Sequence, residues 1–96
     1  MLPKENSEDF YSRFHEQLLV SQDWPGNYLF KFIVRSGEDS QSALVALFND
    51  LETKITHKAS SKKTYVSISV LVKMHSPMEV INLYKAANKI KGVITL

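Results

Sequence analysis

The chain has no cysteine. That removes disulfides, thiol nucleophiles, iron–sulfur clusters and every zinc site built on thiolates, and it agrees with a reducing compartment. Glycine is scarce as well, with only Gly26, Gly37 and Gly92. They lie too far apart to form a G-x-G-x-x-G turn or a phosphate loop, so nucleotide hydrolysis through those motifs is excluded. Long apolar runs are missing too: the longest, Val66 to Met74, is interrupted by Ser67, Ser69 and Lys73. A bilayer-spanning helix needs about 20 apolar residues, so no membrane association is expected. The first nine residues carry Glu5, Glu8 and Asp9 and no apolar stretch, unlike a secretory leader. A cytoplasmic protein is the resulting expectation.

Catalytic constellations are absent in the same way. His15, His57 and His75 fall on different segments, none with a second histidine at a metal-ligand spacing, so no metal is expected. No serine sits in a G-x-S-x-G elbow. The carboxylates Glu8, Asp9 and Glu16, and Asp50 and Glu52, group on or near helix faces, where such acids are commonly solvated or capping. No enzyme and no cofactor are expected.

What the chain does have is 96 residues of ordinary globular composition, enough for one domain with one core. Its charge is unevenly spread. The first sixteen residues hold four acids, whereas Thr53 to Met78 holds five lysines (Lys54, Lys58, Lys62, Lys63, Lys73) and no acid. A solvated strand edge and turn would account for that, and so would a surface for anions.

Periodicity orders the elements. Phe10, Phe14 and Leu18, widened by Tyr11 and Leu19, predict a helix over 8–20, capped by Asn6 or Ser7. Trp24-Pro25-Gly26-Asn27 breaks the chain. Tyr28 to Arg35 alternates, placing Tyr28, Phe30, Phe32 and Val34 on one side and Leu29, Lys31, Ile33 and Arg35 on the other. Gly37-Glu38-Asp39-Ser40 turns the chain into a second helix with Leu44, Leu47, Phe48 and Leu51 on its stripe. An edge strand guarded by lysines follows over 54–60. After a turn at 61–64, Tyr65 to Met74 is the clearest strand. Val66, Ile68, Val70, Val72 and Met74 form its apolar side, and Tyr65, Ser67, Ser69, Leu71 and Lys73 the other. Ser76-Pro77-Met78-Glu79 reads as a capping box opening a last helix, with Val80, Ile81, Tyr84 and Ala87 inward. Val93 to Leu96 is a terminal strand.

This is an α+β chain. After an N-terminal helical extension (1–23) comes a βαββαβ core (24–96), the ferredoxin-like two-layer sandwich. Its four-stranded antiparallel sheet is expected in the order 4-1-3-2, with two helices on one face. The other face has no evident cover unless the N-terminal helix or a partner supplies it.

Three stretches resemble the YbeD-like family of small bacterial proteins, a domain of unknown function. They are Trp24-Pro25 with Tyr28-Leu29-Phe30-Lys31-Phe32, Ser60-Ser61-Lys62-Lys63-Thr64-Tyr65-Val66-Ser67-Ile68, and Leu83-Tyr84 with Lys89-Ile90. The likeness runs over about residues 24–96. It implies a ferredoxin-like fold similar to ACT regulatory domains, which bind small molecules such as amino acids, and it implies no established activity. Family members often carry glycine where this chain has Lys63, so the turn there either adopts a strained left-handed residue or takes another form.

The candidate surface is the open sheet face with the adjoining turn. Lys31, Arg35, Lys62 and Lys63 supply positive charge; Ser60, Ser61, Ser67 and Ser69 can donate and accept hydrogen bonds; and Tyr65 can stack. Leu29, Ile33 and Leu71 are aliphatic on an otherwise wet face, which points to a covering partner. The leading expectation is a regulatory or binding module for a protein partner or small anionic ligand. A nucleic-acid module using the basic 54–73 stretch and a structural homodimer are the alternatives. Against the former, one aromatic is no stacking platform and the RNP1 pattern is missing.

Overall fold

Two alternating runs dictate the architecture, because a strand with one apolar side must lay that side against a helical layer. A computed structural model describes residues 7–36 and 39–95. The element order is α1 (Ser7–Ser21), β1 (Gly26–Arg35), α2 (Asp39–Ala46), β2 (Thr53–Ala59), β3 (Tyr65–Met74), α3 (Pro77–Asn88) and β4 (Ile94–Thr95). The four strands form one sheet in the order β2-β3-β1-β4. All pairings are antiparallel, and the long β1–β3 ladder runs from Gly26 opposite Met74 to Arg35 opposite Tyr65. This is the expected α+β sandwich and the expected strand order.

The inner sides of β1 and β3 make the core. Phe30, Phe32, Val34, Ile68 and Val70 have no exposed surface, and Val72 and Met74 almost none. Leu44 and Phe48 close over them from the α2 side, and Val80, Ile81, Tyr84 and Ala87 from α3. Tyr84 is the aromatic hub: its ring meets those of Phe14, Tyr28, Phe30 and Phe32. Its hydroxyl lies 3.0 Å from that of Tyr28. Burial and then that hydrogen bond push the Tyr84 phenol well above its ordinary range.

The N-terminal helix resolves the question of cover. It packs against α3 within the helical layer, leaving the other side of the sheet alone. Phe14 meets Tyr84, Leu18 enters the core, and the Tyr11 hydroxyl accepts from Asn88 Nδ2 at 3.3 Å. Lys85 sits 4.8 Å from the Tyr11 ring centroid. Trp24 Nε1 donates to the Leu18 carbonyl at 2.9 Å, closing the exit of α1. Gly26 follows where a side chain has no room: a Cβ there would stand 2.7 Å from the Asp23 carbonyl oxygen.

Local details depart from expectation at four places. α2 ends at Ala46 and does not continue through Leu51. Tight i→i+3 bonds (Phe48 to Val45, Leu51 to Phe48) replace helical ones and rotate Leu51 out of the core, where it is exposed. At α3, the Glu79 N–H donates to Ser76 Oγ as a cap should. The Glu79 carboxylate, however, accepts from the His75 backbone at 2.8 Å, one residue upstream of the expected capping-box donor. β1 starts two residues early at Gly26, and β4 comprises Ile94–Thr95 alone among the described residues. Asn6, Gly37, Glu38 and Leu96, and the capping side chain of Ser7, lie outside what is described.

Candidate functional site

The uncovered sheet face is assembled by register, because directly paired antiparallel residues point to the same side. Five cross-strand rows result: Lys73 with Asn27; Lys54, Leu71 and Leu29; Thr56, Ser69 and Lys31; Lys58, Ser67, Ile33 and Ile94; and Tyr65 with Arg35. Every cation of β1, β2 and β3 is therefore on this side: Lys31, Arg35, Lys54, Lys58 and Lys73. No carboxylate shares it among the described residues. Nor does any ion pair among the described residues involve these five.

The aliphatic residues on the same face are exposed beyond what solvation of a sheet requires. Ile94 is 52% exposed, Leu29 47% and Leu71 37%, with Tyr65 at 43% beside Arg35. Leu29 and Leu71 are cross-strand partners, and Ile33 and Ile94 form a second pair two rows away. At about 3.4 Å per residue, the two greasy pairs stand roughly 13 Å apart with the Lys31–Ser69 row between them.

Of the expected site residues, Lys31, Arg35, Tyr65, Ser67 and Ser69 lie together on this face. Ser60, Ser61, Lys62 and Lys63 instead belong to the β2–β3 turn at its rim. Ser60 is occupied with structure: its hydroxyl accepts from the Tyr65 N–H at 3.2 Å, and its carbonyl accepts from Lys63 N–H at 2.9 Å. Lys63 has φ of 56°, so the lysine does take the left-handed conformation that favours glycine. That geometry costs a side-chain-bearing residue about 1–2 kcal/mol. Lys54, Lys58 and Ile94 belong to the face although sequence reasoning assigned the first two to edge protection and the last to a terminal strand. The signal that finds them is the pairing register, which is fixed only when the sheet forms.

The three histidines are spread over separate segments. His57 Nδ1 is 3.2 Å from Gln41 Nε2, His75 pairs with Glu79 and His15 lies on α1. No group of three metal-ligating side chains occurs among the described residues, and no described helix is long and apolar enough to cross a membrane.

With this geometry in hand, comparison places the chain. The family described as "Protein of unknown function (DUF493)" matches residues 21–96, and the chain belongs to it. Among solved structures it is similar to the ACT domain from GTP pyrophosphokinase of Chlorobium tepidum. The TM-score is 0.53 at 14% identity, over 73% of this chain and 95% of that one. The likeness establishes a shared ACT-like fold. No curated protein matches.

Proposed function

We propose that the protein is a non-catalytic binding module, of the YbeD-like kind its motifs resemble, whose open sheet face captures an acidic, aliphatic-bearing segment of a protein partner. One observation carries this: five cations and four aliphatic side chains share a face that, among the described residues, has no carboxylate and no cover. Burying such a face needs apolar contact for the Leu29–Leu71 and Ile33–Ile94 pairs and negative charge for the cations between and around them. Stacking a second copy face to face would bring five cations against five, so the charge pattern disfavours that form of homodimer. Tyr65 alone among the outward residues is aromatic, which gives nucleic acid phosphate contacts without a stacking platform.

The test is selection from a random peptide library on the immobilised chain. Enriched peptides are expected to be net acidic with aliphatic residues. The double substitution Lys31→Ala with Arg35→Ala should weaken their binding by about tenfold while leaving the circular dichroism spectrum intact. Enrichment without acidic bias, or binding indifferent to the double substitution, refutes this surface. A gel-shift titration with single-stranded oligonucleotide at two salt concentrations checks the competing nucleic-acid use. No shift even at low salt removes that use.

A further inference from the structure

Where β1 leaves the sheet and α2 begins, the structure holds an open groove of about 1060 Å³. Its floor and walls come from four separate parts of the chain: the end of β1, the first turns of α2, the start of β3, and the α3–β4 connection. One wall is apolar, made by Ala43, Ile90, Val93 and Ile94. The polar lining is Arg35, Lys91, Tyr65, Ser40 and Asp39. Arg35 and Lys91 are both exposed, and no ion pair among the described residues joins either to a carboxylate. Gly92, between Lys91 and Val93, has φ of 86°, a conformation that favours glycine and lets the connection fold back along the groove.

Ser40 adds an independent sign. It is the only buried polar residue of the described chain, 7% exposed, and its Oγ has no hydrogen-bond partner. A buried hydroxyl without a partner costs about 1–3 kcal/mol. Such groups are rare in folded proteins, and this one belongs to a residue that lines the groove, so a bound molecule needs only a small shift of the α2 start to reach it.

We infer that this groove binds a small organic anion: a carboxylate or phosphate head held by Arg35 and Lys91, with Ser40 and Tyr65 as hydrogen-bonding groups, and an aliphatic body laid on Ala43, Ile90, Val93 and Ile94. Two described cations against the single described carboxylate of Asp39 leave a net positive lining, which suits a monoanion. The groove goes beyond the sheet-face reading and stands without it. It touches that face through Arg35, Tyr65 and Ile94, so an occupied groove alters one end of the docking surface.

The experiment is titration of the full 96-residue chain, isotopically labelled, followed by amide NMR shifts. The probes are hexanoate, hexyl phosphate, acetate, inorganic phosphate and hexanol, with no peptide partner present. Hexanoate or hexyl phosphate is expected to give saturable shifts centred on Ser40, Ala43, Gly92 and Ile94, and which of the two binds more tightly identifies the head group. Acetate, inorganic phosphate and hexanol should each bind at least about tenfold more weakly, since each lacks either the body or the charge. Replacing Arg35 and Lys91 together by alanine should weaken hexanoate by about tenfold, and Ala43→Phe should block it by filling the groove. These positions are solvent-exposed, so the fold survives both changes. Shifts that do not saturate, that track the lysines of the β2–β3 turn, or that persist unchanged in either variant overturn the assignment.

Discussion

The two sides of one sheet differ more than any two elements of this protein. On β1, Phe30 is fully buried while its neighbour Leu29 is 47% exposed; on β3, Val70 is fully buried and Leu71 37% exposed. The residues are of similar hydrophobicity, so exposure is set by parity in the strand and by which side the helices cover. All three helices lie on one side. The inner side has spent its hydrophobicity on packing, whereas the outer side keeps aliphatic residues among cations where water alone does not require them. The first side builds the fold and the second is the docking surface proposed above.

The sharpest way to break that contrast is to truncate neighbouring residues on opposite sides. Phe30→Ala should cost about 3–5 kcal/mol in chemical denaturation, because it opens a cavity among Phe32, Phe48 and Tyr84. A loss below about 1 kcal/mol would mean that the inner side is not the core.

Tyr84→Phe tests the polar exception within the inner side. Loss of the bond to Tyr28 should cost about 1 kcal/mol at neutral pH. The fold favours the neutral phenol, so its folded-state pKa lies above the unfolded value of 10.0. The stabilisation is complete below about pH 10 and is lost as pH rises beyond it. Urea midpoints measured from pH 8 to 11 should therefore fall more steeply above pH 10 for the native chain than for Tyr84→Phe. Parallel curves would remove the phenol from the account.

Lys63→Gly probes the rim of the outer side. Releasing the left-handed lysine should raise stability by about 1 kcal/mol, while taking one cation from the turn. Unchanged or lower stability would show that the turn is not strained.

The smallest effect belongs to the outer side itself. Leu71→Ala should change stability by about 0.5 kcal/mol or less, because Leu71 is 37% exposed and stands on the face that no described helix covers. It should nevertheless weaken capture of an acidic peptide. A stability loss of several kcal/mol would show the outer side to be structural.

Alternation makes the inner and outer sets of β1 and β3 readable in the sequence, since a period of two leaves no third choice. The capping serine and Pro77 fixed the start of α3 in the same local way. The end of α2 was less legible. Leu47, Phe48 and Leu51 continue a helical stripe, yet the chain tightens after Ala46 and Leu51 turns outward.

Within the candidate site, Lys31, Arg35, Tyr65, Ser67 and Ser69 were visible from strand parity alone. Lys54, Lys58 and Ile94 were not, because parity says which side of its own strand a residue takes but not which residues of other strands stand beside it. The sequence alone determined the two-layer α+β architecture, the absence of the thiolate and nucleotide motifs, and the side on which each residue of β1 and β3 falls, since all of these rest on composition and short-range spacing. Only the tertiary structure decided that α1 joins the helical layer, that five cations gather on the bare side, and that Arg35, Ser40 and Lys91 line one groove. Those are long-range pairings, set by the register and by how the helices share the buried surface, and no local pattern encodes them.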